Sequence, residues 1–156
     1  MKSISLFLAG AAAMALAGSA ASARSGLATR YGPMSLFGGY SDKMIEPGVW
    51  RVSARSNGPA GAGFGESMAA YRAGEILSVQ GFPFIQVLDA RGDATVLGRR
   101  GDAFQRRLNE HVVLIVRGAY SSAAPADCRA KDPTACITVS TADLMARMRP
   151  QLHIGE

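Results

Sequence analysis

The residues best equipped for chemistry lie in a glycine run, two histidines and a few carboxylates. Gly61-Ala62-Gly63-Phe64-Gly65-Glu66 separates an alternating segment from a helical one, and Asp89 closes the next apolar run. Backbone amides at a helix start bind anions, and a dinucleotide-binding turn combines G-x-G-x-x-G with an acid about 20 residues further on. Here Glu66 stands where the third glycine belongs, and the glycines begin well past the strand, so no nicotinamide cofactor, nor any other, is expected. No G-x-x-x-x-G-K-[ST] loop, H-E-x-x-H pair or G-x-S-x-G elbow occurs. His111 opens a β-branched run that reads as core, and His153 lies beyond the last helix, so neither stands in a recognisable triad. Asp89, at a strand end, is the acid on which a small hydrolase would rest, with His111 as the base. No residue is assigned a catalytic role.

Cys128 and Cys136 are separated by seven residues of polar, proline-containing chain. In an oxidising compartment this spacing predicts one local disulfide, worth about 2–3 kcal/mol for so short a loop. A metal site would need two more ligands, and His111 and His153 stand at no ligand spacing, so no metal is expected. The net charge is +5, and Arg99, Arg100, Arg106 and Arg107 form its densest cluster. Asp93, Asp102 and Glu110 interrupt that cluster and Phe104 is its lone aromatic, which is not the pattern of a nucleic-acid groove. The four arginines read as a solvated basic loop, with contact to anionic lipid headgroups or cell-wall polymer as the sharper alternative. The triplets Arg91-Gly92-Asp93 and Arg100-Gly101-Asp102 read as tight turns rather than adhesion motifs.

These residues must be placed by a short series of elements. Residues 49–55 alternate Trp50, Val52 and Ala54 against Arg51, Ser53 and Arg55, which predicts a strand with one wet face. A helix is expected from Gly65 or Glu66 to Gln80, amphipathic, with Ala69, Ala70, Ala73, Ile76 and Leu77 on one arc and Gly81 as its cap. The small residues on that arc, with Gly74, suit close approach to a sheet, and Arg72 with Glu75 reads as a surface ion pair at i, i+3. Residues 82–89 predict an interior strand, 94–97 a short edge strand, and 111–117 a continuous β-branched strand. Residues 136–139 resume a strand, and Thr141 caps a final helix that runs to Pro150. The order β-α-β-β-(β)-α predicts an α+β fold: a small mixed or mainly antiparallel sheet of 3–5 strands with two helices on one face.

The N-terminus sets the compartment. Met1 and Lys2 precede an apolar run over residues 4–16, and Ala17, Gly18, Ser19 and Ala20 follow. That is the plan of a secretory signal peptide, and its apolar run falls short of the roughly 20 residues that span a bilayer. Residues 1–23 are read as signal peptide, 24–47 as an irregular N-terminal arm anchored by Phe37, Tyr40 and Met44, and 48–156 as a single α+β domain without a transmembrane span. The processed protein is expected to be soluble and periplasmic or secreted.

Several short segments carry a family likeness. Gly38-Gly39-Tyr40-Ser41, Val49-Trp50-Arg51-Val52-Ser53, Asn57-Gly58, Arg72-Ala73-Gly74-Glu75-Ile76, Gly81-Phe82, the strand of residues 84–89 and the helix of residues 141–152 resemble a group of small uncharacterised alphaproteobacterial envelope proteins, often lipoproteins. The resemblance implies export and a βα-containing fold, and it implies no catalytic residue. The lipidated cysteine of many members is absent, and Ala54 stands where the first strand often carries an aromatic, so lipid anchoring is not carried over.

The expected role is therefore a non-enzymatic binding or structural module of the cell envelope, whose partner is an envelope protein, a lipid headgroup or a cell-wall polymer. A small periplasmic hydrolase is the second reading, and a module contacting anionic lipid or cell wall through the basic loop is the third. N-terminal sequencing of the exported protein should return Ala21 or Arg24 as the first residue; intact Met1 would contradict the signal-peptide reading.

Overall fold

A computed structural model describes residues 27–97 and 106–154. The alternating segment forms β2 (Val49–Asn57), which follows β1 (Gly39–Glu46) across the Pro47-Gly48 turn. Next come α1 (Phe64–Val79), the long hairpin of β3 (Phe84–Leu97) and β4 (Arg106–Ala119), then β5 (Thr138–Ser140) and α2 (Thr141–Met148). The five strands make one antiparallel sheet in the order β1-β2-β4-β3-β5. The architecture is α+β.

Register assigns the two faces. Val52 pairs with Leu114 and Ala54 with Val112, while Val87 pairs with Val116 and Ala90 with Leu114. Because side chains alternate across a strand, these residues share the face that α1 covers. The core is built from Val52, Ala54, Leu114 and Val116 together with the fully buried Met68, Leu77 and Ile85, with Val87 and Val112 packed against it, while Ala90 on the same face is exposed. Arg51, Arg55, His111, Ile115, Arg117, Asp89 and Asp93 fall on the other face by the same register.

That second face is partly roofed by the chain between β4 and β5. Arg117 donates to Gln86 and pairs with Asp127, and Gln86 donates to the Ala123 carbonyl. Arg129 donates its amide to Leu88 O at 2.7 Å and forks its guanidinium onto both Glu46 oxygens at 2.8 Å. That hydrogen bond from Arg129 holds the Glu46 carboxyl below its usual pKa. The Cys128–Cys136 disulfide closes this segment as the spacing predicts.

Several elements differ from the sequence-based expectation, each for a physical reason. The N-terminal arm is not irregular to its end: from Gly39 it is strand β1, because its backbone pairs with β2 along seven residue pairs. Tyr40 packs against the core cluster, whereas Phe37 and Met44 are about half exposed, 49% and 48%. Arg91-Gly92-Asp93 does not turn. It continues β3 opposite Val113, Val112 and His111, since hairpin pairing with β4 overrides local turn preference, and residues 94–97 are the end of that strand rather than a separate one. Helix α1 is buried on most of its circumference, because the sheet, α2 and Tyr31 each take a side. Gly74 accordingly faces Met145 of α2 and not the sheet. The cap of α2 is Ser140, whose hydroxyl accepts from the Asp143 amide, while Thr141 is buried and donates to Phe82 O. Arg99, Arg100 and the second Arg-Gly-Asp triplet lie outside the described residues, as do residues 1–26; Arg106 and Arg107 begin β4.

The segment before β1 is locked to the domain by polar contacts. Tyr31 donates to Glu75 Oε2 at 2.5 Å, and Arg72 bridges Glu75 at 3.0 Å and Asp42 of β1 at 2.8 Å while lying 4.8 Å from the Tyr40 ring centre. The Arg72 and Glu75 pair is thus the hub of a part-buried clasp rather than a surface pair. Asn57 accepts from the Thr29 amide and donates to Leu27 O, and Thr29 accepts from the Asn57 amide. Two glycines make the crossing possible: at Gly38 (φ +110°) a Cβ would lie 2.3 Å from Arg55 O, and at Gly39 (φ +132°) 2.4 Å from Pro33 O.

Burial, then the hydrogen bond to Glu75 and the charge of that carboxylate, push the Tyr31 phenol above its ordinary pKa. Its stabilising contribution is complete below the pKa of an unfolded tyrosine, about 10, and is lost as the pH rises beyond that value. Between about pH 8 and about pH 11 the urea midpoint should fall further for the native chain than for Tyr31→Phe; an equal fall in both would contradict the clasp.

Candidate functional site

The glycine run proves to be an anion cradle already filled from within the chain. Helix α1 begins after Gly63, which has φ +79° and supplies no capping side chain. Its first amides lack intrahelical partners, and Glu110 of β4 accepts from two at this end: Gly63 N donates to Oε1 at 2.8 Å and Gly65 N to Oε2 at 3.2 Å. Ser56 of β2 adds a hydrogen bond to Oε2 at 3.4 Å. The carboxylate is 6% exposed. A Cβ at Gly65 would lie 3.4 Å from Glu110 Oε2 and 3.3 Å from Ser56 Oγ, so the glycine admits the carboxylate to the helix end. Negative charge at this end is stabilising, and Glu110 supplies it from within the chain. The glycines serve a structural cap.

The proposed hydrolase pair is not assembled. Asp89 is buried at 6% exposure and its carboxylate pairs with Arg91 at 2.8 Å. His111 instead lies opposite Asp93, with Nδ1 at 4.0 Å from the carboxylate. Asp89 pairs with Ile115, four positions along β4 from His111, which separates the two by about 13 Å at strand rise. Among the described residues no group of three His, Cys, Asp or Glu could hold a metal ion. His153 is exposed at the C-terminal end of the last 3-10 turn, with φ +51°.

What the fold does build is an apolar groove. Helix α1 meets α2 where Met145 packs on Gly74, and meets the following 3-10 turn (Arg149–Leu152) where Ser67 Oγ donates to Gln151 Oε1 at 2.5 Å. Between these contacts lies a groove of about 510 Å³, lined by the short side chains of Ala70 and Ala73 on α1 and by Leu144 and Met148 on α2. Ile85, Val87, Leu114 and Val116 form its floor, Val139 closes one side, and Glu66 and Arg147 stand at the mouth. Its size falls in the range of small-ligand pockets, roughly 300–1,000 Å³. Ala70, Val87, Val139, Leu144 and Met148 are each only half buried, so this part of the interior is open to solvent. The sequence places Ala69, Ala70 and Ala73 on one arc, which suits close packing on the sheet; Ala69 is fully buried, whereas Ala70 and Ala73 line the groove.

A second, more polar cleft of about 390 Å³ lies at the far end of the sheet, where Leu36 and Phe37 overhang Arg55, Asn57, Asp93 and His111. Compared with models of protein families, with curated proteins and with solved structures, the chain matches none.

Replacing Glu110 by alanine should strand the buried Gly65 amide and the part-buried Gly63 amide and lower unfolding free energy by about 3 kcal/mol, read by urea denaturation, with Glu110→Gln intermediate. A loss no larger than that of an exposed surface carboxylate would contradict the cap.

Proposed function

We propose that this protein is an exported, non-enzymatic binding module of the cell envelope, and that its site is the groove between α1, α2 and the sheet. The observation that carries the reading is the groove itself: about 510 Å³ of largely apolar lining, to which α1 contributes the short side chains of Ala70 and Ala73 beside Glu66 and Ser67. Burial of apolar surface drives uptake of a chain-like hydrocarbon group there. The polar mouth, with Glu66 on one helix and Arg147 on the other, suits an amphipathic ligand whose polar end stays in water. The Cys128–Cys136 disulfide fits an oxidising compartment, and the plan of residues 1–23 fits export.

A polyene fatty acid whose fluorescence rises in apolar surroundings tests this. The processed native protein should bind it saturably at one site, and Ala70→Leu, which fills the groove, should weaken binding about tenfold or more, a change of at least about 1.4 kcal/mol. If the native protein shows no saturable signal while Ala70→Leu simply raises the melting temperature, the groove is a packing defect and the reading fails.

A further inference from the structure

A separate surface, independent of the groove, has the makings of a membrane contact. Residues 35–38 form a tight turn closed by reciprocal backbone hydrogen bonds, Ser35 N to Gly38 O at 2.8 Å and Gly38 N to Ser35 O at 3.2 Å. The Ser35 hydroxyl also donates to Gly38 O and accepts from the Phe37 amide, and Thr29 donates to Phe37 O. The turn is therefore held rigidly, yet it presents Leu36 at 99% exposure, Phe37 at 49% and Met34 at 42%. Scattered exposed apolar residues need no explanation, but adjacent large ones on a fixed tip do.

Positive charge lies beside that tip. Gly38 is wedged against the Arg55 carbonyl, and Arg55 lines the same cleft as Leu36 and Phe37. Arg51, four residues back along β2, shares its face of the sheet, and Lys43 of β1 stands directly opposite Arg51. Like charges paired across strands oppose each other. Among the described residues Lys43, Arg51 and Arg55 have no ion-pair partner, whereas the carboxylates elsewhere on this face are engaged: Asp89 by Arg91, Glu46 by Arg129 and Asp127 by Arg117. Asp93, whose side chain is 85% exposed, lies 4.0 Å from His111 in the same cleft and is, among the described residues, the one exposed carboxylate lining it beside the row. The result is a flat, exposed row of three cations ending in an apolar finger.

We propose that this face docks on a bilayer containing anionic phospholipid, with Leu36 and Phe37 entering the headgroup and acyl boundary and Lys43, Arg51 and Arg55 lying against the phosphates. Apolar insertion flanked by cations is the chemistry of interfacial binding. An anionic glycan would satisfy the cations but leave Leu36 in water, so the lipid surface is the better complement.

The test is co-sedimentation of the processed protein with vesicles of phosphatidylcholine, alone or mixed with phosphatidylglycerol. Partition onto the mixed vesicles is expected, weakened about fivefold for each of Arg51→Gln and Arg55→Gln and by added salt. It should fall about tenfold in Leu36→Ser/Phe37→Ser, whose circular dichroism should match the native chain because both side chains are exposed. Partition equal on the two vesicle types, partition unchanged in the serine double variant, or no partition at all would each overturn the proposal. Sedimentation with insoluble peptidoglycan that ignores Leu36 and Phe37 would do so as well.

Discussion

The buried carboxylate of Glu110 fixes where helix α1 begins, and most of the remaining architecture follows from that. It reaches from β4 to the amides of Gly63 and Gly65 and accepts from Ser56 of β2, so one ionised group ties the helix start to two adjacent strands. A buried charge costs free energy unless several donors surround it, and here the donors are amides that would otherwise be unsatisfied. With its start pinned and its end turned by Gly81, whose amide donates to Ser78 O, the helix has a set rotation over the sheet. That rotation aims Ala70 and Ala73 at the groove and Gly74 at Met145.

The opposite flank of α1 is held by a different device. Arg72 and Glu75 gather Tyr31, Tyr40 and Asp42, so the segment preceding β1 and β1 itself become part of the helix packing. Burial would by itself lower the Arg72 pKa, but its hydrogen bonds to Asp42 and Glu75 outweigh that and raise it, so the guanidinium remains a charged hub. The glycine pair at 38 and 39 lets this segment cross the end of β2 at backbone contact. The crossing holds the turn at Leu36 and Phe37 out in solvent beside Arg55. The rigid apolar tip is thus a consequence of how the N-terminal segment is strapped down.

The regular elements were legible where a single local signal decided them. The alternation of Trp50, Val52 and Ala54, the β-branched run at 112–116 and the spacing of the two cysteines led directly to β2, β4 and the disulfide. Strand β1 was not legible, because an edge strand with Lys43, Met44 and Ile45 all exposed shows no alternation. The turn expected at Arg91-Gly92-Asp93 failed because pairing with β4, invisible in a local window, governs that stretch. The cap on α1 was hidden by distance: Glu110 and Gly63 are 47 residues apart. Arg72 and Glu75 looked like an ordinary surface pair for the same reason, since their further partners Tyr31 and Asp42 come from a segment without periodicity. The groove depends on where two helices diverge, which the residue types on one arc do not specify.

A glycine-rich helix start thus serves here as a structural joint, while open apolar surface lies in the gap between the helices and on the exposed tip. All of this requires the Glu110 joint to be closed in the native protein in solution. Native-state hydrogen exchange at the Gly63 and Gly65 amides reads it directly. If Glu110 holds them, both amides are protected and exchange only through global unfolding. Exchange at the rate of a free loop amide would show that the joint is open, and the placement of α1, with the groove that depends on it, would be contradicted.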